Sequence, residues 1–265
     1  LYNDDPPPPE DTASSTYAHA KGVLLTDSQQ GFWLVHSKPN WPGSRETGAI
    51  PFPDTQYSQS LMCITLKTET FDSIAATNMV NYPYIYDSYI STNLEAAIPL
   101  FAEWIGGGKS SLTNMTNTFA SVGGTTYTQF AKSKAWGKDL YEDFVAPTLD
   151  RGLHVETWRL GSGGRMSSFC DSGDDDTWMV HPTAYDVIEV DDVTMPDGAT
   201  WTGTQDHSKW VSTINDGTNE SAYICIGDIN RMCSQESRGG GTVCVGGGDS
   251  LWQSFDDSIT GVEDC

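Results

Sequence analysis

The first third of the chain alternates apolar runs with polar turn residues, a pattern that predicts a β-hairpin. Residues 22–25 and 32–35 form two apolar runs, and the polar segment 27–31 between them (Asp-Ser-Gln-Gln-Gly) is typical of a turn. The second run ends at His36. A later apolar run over 61–67 predicts another strand.

Helical spacing appears in two further segments. Leu94, Ile98, Phe101 and Ile105 recur at intervals of three or four, which predicts one helix over 92–105 that stops at a run of three glycines. Residues 138–148 also have a helical pattern. Additional strands are predicted at 118–132, near 185–190 and at 223–226. Polar or glycine-rich loops are predicted at 4–12, 161–177 and 239–241. Because strands and helices interleave, the pattern favours an α/β or α+β fold.

The charge balance narrows the function classes. The chain has 14 basic and 36 acidic residues, for a net charge of −22 at pH 7. Phosphate binding depends on Lys and Arg, so this balance alone argues against a nucleic-acid partner. Two arrangements would make this acidic composition compatible with a nucleic-acid partner. The protein could have a local basic cleft, or it could work in acid, where its carboxylates are protonated. No apolar run approaches the length of a membrane span.

The cysteines indicate an oxidising compartment. None of the six forms a CxxC pair, which makes a zinc site a poor interpretation. Asn114 and Asn219 each begin a glycosylation acceptor tripeptide. Together with the acidic composition, these features favour a secreted or lysosomal glycoprotein with disulfide bonds.

Three of the five histidines are followed two residues later by a lysine. The three copies are His19-Ala20-Lys21, His36-Ser37-Lys38 and His207-Ser208-Lys209. On an extended segment, residues two apart share a face, so each His and Lys can meet one ligand. A lysine supplies fixed charge for a phosphate, and a histidine can act as nucleophile or proton donor. His and Lys without a carboxylate partner suit phosphate chemistry and make a poor metal site, so we expect no metal and no cofactor.

The alternative for a single such pair is a solvated surface pair. His19 and His207 stand out because each lies beside an apolar strand and has an asparagine downstream, Asn40 and Asn230 respectively. We interpret His154 and His181 as structural or surface residues. This pairing resembles the phospholipase D superfamily, in which each half of the active site carries His-x-Lys with a downstream asparagine.

A closer resemblance, nearly end to end, is to the deoxyribonuclease II family. It is carried above all by the segments Gly-Phe-Trp-Leu-Val-His-Ser-Lys-Pro-Asn-Trp-Pro over 31–42 and Asp-His-Ser-Lys-Trp over 206–210. The resemblance implies a phospholipase D-like fold: two similar α/β halves with mixed sheets and one shared active site. We expect these halves at 1–160 and 161–265. It also implies acid hydrolysis of DNA without a metal ion, leaving 3′-phosphate ends.

The resemblance assigns roles to particular residues. His19, Lys21, His207 and Lys209 are the expected catalytic residues. One histidine would attack phosphorus to form a phosphohistidine, and the other would protonate the leaving 5′ oxygen. The expected supporting or phosphate-binding residues are His36, Ser37, Asn40, Asp228 and Asn230.

The resemblance also implies the covalent organisation. It pairs Cys225 with Cys244 and Cys170 with Cys265. Family members carry a segment before the position that matches Leu1, so we expect a disulfide-linked N-terminal chain of the same precursor, joined through Cys63. A bridge from Cys63 to Cys233 is the alternative. DNA is the expected substrate, and the N-terminal chain is an expected partner. A second copy of the protein in a homodimer is a further candidate partner, whereas a membrane is not.

Three other functions compete with the nuclease. One is a secreted toxin or inactive relative that acts by binding, which the intact His-Lys pairs argue against. A phospholipase D-like lipid hydrolase would need a wide apolar mouth beside the site. A secreted structural glycoprotein is favoured by acidity alone.

Overall fold

The structure is a computed structural model that describes residues 1–10, 12–52, 56–161, 163–170, 185–214, 222–246 and 248–264. His181, Asn219 and Cys265 lie outside the described residues, as does part of the loop expected over 161–177. Strands and helices mix throughout the described chain, which confirms the α+β interpretation. No described helix is both long enough and apolar enough to span a bilayer.

The first sheet is antiparallel and contains the predicted hairpin. Its order is β1 (Tyr2–Asn3), β2 (Lys21–Thr26), β3 (Gln30–His36) and β4 (Leu61–Lys67). The hairpin and the strand at 61–67 are therefore confirmed. Asp27 holds the turn, since its carboxylate accepts the backbone N–H groups of Gln29 and Gln30 at 2.6 and 3.0 Å.

The second sheet has nine strands among the described residues. Along its path lie β13 (Ile259–Val262), β8 (Val187–Thr194), β7 (Leu153–Glu156), β10 (Trp210–Thr213), β11 (Tyr223–Gly227), β12 (Gly240–Gly246), β6 (Thr126–Lys132) and β5 (Asn114–Ala120); β9 (Thr200–Thr202) pairs with β8. The pair β7–β8 is parallel and the others are antiparallel, so the sheet is mixed. The sheet contains strands from before and after residue 160. The division of the chain into halves at 1–160 and 161–265 therefore stays a prediction.

Two sequence interpretations of strands and loops need correction. The strand-like stretch 118–132 is a pair of strands, β5 and β6, joined by a turn. The glycine run at 239–241 is not a loop, because Gly240 and Gly241 open β12. A side chain at Gly241 would approach the backbone oxygen of Phe130 to 2.2 Å, so glycine allows β12 to pair closely with β6.

The helix predicted over 92–105 is two helices, α2 (Thr92–Ala97) and α3 (Pro99–Ile105). Pro99 disfavours the helical conformation of the residue before it, and Ile98 accordingly has φ −131° and ψ 69°. The segment 138–148 is helical as predicted, although it comprises a π-helical turn (Tyr141–Val145) and a short α4 (Ala146–Leu149). Two more helices, α5 (Cys233–Glu236) and α6 (Asp249–Asp256), lie near the end of the chain.

The pattern of apolar residues did not predict helix α1 (Thr70–Asn81). Eight of its twelve residues are buried, including the polar Thr77, Asn78 and Asn81. A helix buried on most sides has no polar face, so it lacks the periodic signal of a surface helix. It packs in a core with Trp33 and Ile64 of the first sheet and residues of the second sheet. This core fixes how the two sheets meet at the candidate site.

Candidate active site

The first His-Lys pair lies at the start of β2. His19 and Lys21 are 7% and 1% exposed, so both are deeply buried. The backbone N–H of His19 donates to the carbonyl of Gly239 at 2.9 Å, which ties this segment to the second sheet. The ammonium of Lys21 donates to Asp4 at 2.6 Å and to Asp228 at 2.9 Å. Lys21 thus joins the first sheet to the residue that follows β11.

The second His-Lys pair immediately precedes β10. Lys209 is fully buried, and its ammonium lies 3.1 Å from Nδ1 of His207 and 2.5 Å from the carbonyl oxygen of that residue. The pair therefore acts as one unit, as the two-residue spacing predicts. Asp206 shapes the segment by accepting hydrogen bonds from the Ser208 backbone and the Trp201 indole, both at 2.7 Å.

The two pairs face one cluster of carboxylates. Asp228 follows β11, which pairs with β10, and it contacts Lys21 from the other sheet. Asp4 contacts Lys21 and lies 3.7 Å from Nε2 of His19. Burial lowers the pKa of Lys209 to about 7, with Asp228 and Asp4 opposing and Lys21 reinforcing the shift. The site therefore brings together all four predicted catalytic residues around Asp4 and Asp228.

Burial and neighbouring cations keep both imidazoles neutral. Burial lowers the pKa of His19 well below its ordinary value, against the opposing effect of Asp4. Burial lowers the pKa of His207 to about 2, and Lys209 and Lys21 add to the shift. Each ring can thus offer a lone pair, and a nearby anion is needed to favour its protonation.

The pKa shifts of the other charged groups depend on the charges that lie beside each group. Burial alone would lower the pKa of Lys21, but Asp228 and Asp4 outweigh it and raise that pKa. Burial raises the pKa of Asp228 to about 6, although Lys21 and Lys209 oppose it. Burial would also raise the pKa of Asp4, but Lys21, His19 and Arg238 lower it below its ordinary range. Asp4 is therefore the permanent anion of the site.

Sequence reasoning missed Asp4 and wrongly described the pairs as lacking carboxylate partners. Asp4, His19 and Asp228 are also the one group, within the described ranges, whose ligand atoms could surround a metal ion. The ammonium of Lys21 already lies 2.6 and 2.9 Å from those two carboxylates, so a cation occupies the position between them. The expectation that the site works without a metal stays a prediction.

His36 lies near Lys21 of the first pair, and Ser37 lies near His207 of the second. His36 is completely buried against the ring of Trp41, with ring centroids 5.1 Å apart, and burial lowers its pKa to about 3. Among the described residues, neither ring nitrogen of His36 makes a hydrogen bond of ordinary geometry, although the backbone of Lys38 opposes the lowering of the His36 pKa. The Ser37 hydroxyl donates to Gln59 at 2.6 Å, and the same Gln59 oxygen lies 3.4 Å from Nδ1 of His207. Gln59, which carried no sequence signal, therefore links the third His-Lys motif to His207.

The two predicted asparagines occupy different environments. Asn230 is buried two residues after Asp228, and within the described ranges its side-chain oxygen has no hydrogen-bond partner. Asn40 is exposed, has a positive φ of 56°, and donates to Asp5 at 3.1 Å. Of the two, Asn230 is therefore the better placed to serve the buried site.

Two residues with predictions of their own lie away from the His-Lys pairs. His154 is half-buried, 3.8 Å from Asp256, a residue that contacts neither pair. Asn114, the first glycosylation acceptor, is half-buried at the start of β5.

Of the five cysteines among the described residues, three are disulfide-bonded and two are free thiols. Cys225 and Cys244 face each other on β11 and β12 and form the predicted disulfide. Cys170 is disulfide-bonded, while its predicted partner lies outside the described residues. Cys63 and Cys233 are free and exposed, so the alternative bridge between them is wrong.

Comparison with known proteins identifies the family of the chain. A sequence profile described as Deoxyribonuclease II matches residues 1–265. The chain is 35% identical over 269 residues to Plancitoxin-1 of Acanthaster planci, covering 100% of this chain and 70% of that protein. It is 33% identical over 270 residues to Deoxyribonuclease-2-alpha of Bos taurus, covering 100% and 69%. It is 34% identical over 248 residues to Deoxyribonuclease-2 of Caenorhabditis elegans, covering 93% and 61%. The chain belongs to the deoxyribonuclease II family.

Proposed function

We propose that this protein is an acid endodeoxyribonuclease that hydrolyses DNA phosphodiester bonds through His19, Lys21, His207 and Lys209. The reaction needs cations that hold the phosphoryl oxygens and groups that transfer protons next to them. The two His-Lys pairs supply both.

The observation that carries the proposal is that two His-Lys pairs with buried lysines, far apart in the sequence, face the same two carboxylates. Lys21 of the first pair contacts both Asp4 and Asp228. The same two carboxylates act on the pKa of Lys209 in the second pair. One phosphodiester bound at this cluster would therefore meet groups from both pairs.

The same placement supports a phospholipase D-like fold with halves at 1–160 and 161–265. The first range contains His19, Lys21 and Asp4, and the second contains His207, Lys209 and Asp228. Each half would thus contribute one pair and one carboxylate to a single shared site.

The proposed reaction has two steps. One imidazole attacks phosphorus, the bond to the 5′ oxygen breaks, and the other histidine, protonated beside the anionic phosphate, gives its proton to that oxygen. Water then attacks the phosphohistidine, the second histidine takes a proton from it, and a 3′-phosphate end is released. Lys21 and Lys209 would stabilise the charge that builds on the phosphoryl oxygens, with Asn230 as a further donor.

The surroundings of His207 favour a division of roles. Besides the Lys209 nitrogen at 3.1 Å, Nδ1 of His207 lies 3.4 Å from the side-chain oxygen of Gln59, which can accept the second N–H of an imidazolium. We therefore assign proton donation to a protonated His207 and attack on phosphorus to His19. A phosphorylated His19 trapped in the His207→Ala protein with an activated phosphodiester would support this assignment, and phosphorylation of His207 in the wild type would refute it.

The charges of the cluster account for an acid requirement. Below about pH 6, Asp228 is protonated, which leaves two ammonium groups against the single carboxylate of Asp4. Above about pH 7, Lys209 loses its proton and Asp228 is ionised, which leaves one ammonium group against two carboxylates. The cluster therefore attracts a phosphodiester in acid and repels it at neutral pH. Such a site suits a lysosomal or secreted enzyme.

The competing functions fit the geometry less well. A lipid hydrolase needs an apolar mouth at the reaction centre. The large apolar cavity of about 570 Å³ is lined by residues such as Leu24, Ile85 and Trp104, and none of the four proposed catalytic residues lines it. A relative that acts only by binding would have no need of two intact His-Lys pairs at one site.

The test is plasmid nicking in EDTA at acid and at neutral pH, with wild type beside His207→Ala. We expect the wild type to cut in EDTA at acid pH, to lose activity as the pH rises through about 7, and to leave 3′-phosphate ends. The His207→Ala protein should not cut. Cleavage that stops on chelation and returns with magnesium would overturn the metal-free mechanism.

A further inference from the structure

Arg238 joins the backbone before His19 to the carboxylate beside it. Its Nε donates to the carbonyl oxygen of Tyr17 at 3.2 Å, and its Nη2 donates to Oδ2 of Asp4 at 2.8 Å. Only 16% of the Arg238 side chain is exposed, so water screens this ion pair less than it would screen a surface pair. The guanidinium therefore restrains two groups that lie next to the His19 ring.

The turn that carries Arg238 is itself fixed to the same segment. The buried ammonium of Lys132, at the end of β6, donates at 2.8 Å each to three carbonyl oxygens of the turn, those of Gln235, Glu236 and Arg238. Directly after the turn, the carbonyl of Gly239 accepts the backbone N–H of His19 at 2.9 Å. A side chain at Gly239 would approach a backbone oxygen of helix α1 to 2.1 Å, so glycine allows this close approach.

Both carboxylate oxygens of Asp4 contact cations and not the imidazole. Oδ1 accepts from Lys21 at 2.6 Å and Oδ2 accepts from Arg238 at 2.8 Å. Nε2 of His19 lies 3.7 Å from Oδ2, which is beyond hydrogen-bond distance. A carboxylate that hydrogen-bonds an imidazole stabilises its protonated form, and an imidazolium has no lone pair with which to attack phosphorus. Direct contact between Asp4 and His19 would therefore oppose the proposed role of His19.

The charges around His19 give Arg238 a role that the lysines cannot take. Burial is the largest cause of the lowered pKa of His19; Asp4 opposes the shift, and Lys21, Arg238 and Lys209 add to it. In the proposed reaction the two lysines bind the phosphoryl oxygens, so DNA neutralises part of their effect. Arg238 is paired with Asp4 and keeps its effect on the imidazole when DNA is bound.

We propose that Arg238 is a positioning residue for the nucleophile: by holding Oδ2 of Asp4 out of hydrogen-bond contact, it leaves the His19 imidazole with a free lone pair. This inference rests on the proposed function, because it takes His19 as the nucleophile and DNA as the substrate. Arg238 acts through Asp4 and not on the reacting atoms. Its loss should therefore slow the chemical step and leave substrate binding in place.

The first experiment is a double-mutant cycle of Arg238→Gln and Asp4→Asn. Plasmid cleavage is measured at acid pH in EDTA, with kcat and KM determined separately. Arg238→Lys is added because it retains the charge beside Asp4. Arg45→Gln is the matched control, since Arg45 also contacts one aspartate, Asp87, and one backbone carbonyl, that of Ser88, both at 2.7 Å.

We expect Arg238→Gln to lower kcat by about 10-fold to 100-fold and to leave KM within about threefold, because a small misplacement at a reacting group slows chemistry more than binding. In the Asp4→Asn protein the same substitution should cause no further loss, since the carboxylate that Arg238 holds is gone. Arg238→Lys should recover most of the rate, and Arg45→Gln should match wild type. Equal losses in both backgrounds, or a raised KM with unchanged kcat, would overturn the inference.

The second experiment needs no cleavage. Imidazole ¹⁵N NMR signals are followed between about pH 4 and 8 without DNA, and the spectrum of His19→Ala identifies the signals of His19. We expect the pKa of His19 to be higher in Arg238→Gln than in wild type, because Asp4 then acts on the ring with one cation fewer. His19 signals that superimpose over the whole range would overturn the inference. If the pKa rises but wild type cuts no DNA, the proposed function fails while the positioning by Arg238 stands.

Discussion

Replacing Lys209 by methionine separates the contribution of this residue to catalysis from its effect on stability. Lys209 is fully buried, with its ammonium held by Nδ1 and the carbonyl oxygen of His207. Methionine has a similar length and no charge. The substitution therefore removes the cation while filling most of the same volume.

The stability effect follows from the pKa. Burial lowers the pKa of Lys209 from 10.5 to about 7, which corresponds to a penalty on the charged form of about 5 kcal/mol as an upper bound. Because the folded-state pKa is the lower one, this penalty is fully present below about pH 7. It declines as the pH rises from about 7 to 10.5 and is absent above that range. At acid pH, Lys209→Met should therefore stabilise the protein by a few kcal/mol.

The catalytic effect should be opposite. Loss of a preorganised charge donor at the phosphoryl oxygens should lower kcat by about 10²–10³-fold. The assays are plasmid cleavage and thermal unfolding, both at acid pH, with Lys134→Met as the control because Lys134 is exposed. We expect a Tm rise on the order of 5 °C or more for Lys209→Met and none for the control. A lower Tm, or activity within tenfold of wild type, would refute the reasoning.

Three further predictions concern other residues. His19→Ala and His207→Ala should each abolish cleavage while His154→Ala cuts normally in the same assay; turnover by either of the first two would contradict the paired mechanism. Arg231→Met removes the cation that contacts the buried carboxylates of both Glu142 and Glu189, while Arg159 still contacts Glu189 at 3.0 Å, so denaturant unfolding should report a loss of about 3–5 kcal/mol. The free, exposed thiol of Cys63 should join a second polypeptide in the natural protein, and a single band of unchanged mass with and without reductant would exclude that link.

Local patterns were sufficient to predict the hairpin and the two-residue unit of His207 and Lys209. Two apolar runs on either side of the polar turn at Asp27 specify β2 and β3, because strand pairing and turn geometry depend on neighbours in the sequence. The contact between Lys209 and His207 likewise spans two residues. Interactions of this range leave a readable pattern in the chain.

The tertiary structure alone supplied the rest of the site. Lys21 meets Asp4 and Asp228 across sequence separations of 17 and 207 residues, and no spacing rule connects them. Gln59 reaches His207 across 148 residues in the same way. Helix α1 was missed because burial on most sides removes its polar face. The residue types that could handle a phosphate are visible in the sequence, whereas their charge states arise from burial and from carboxylates that only folding brings within reach.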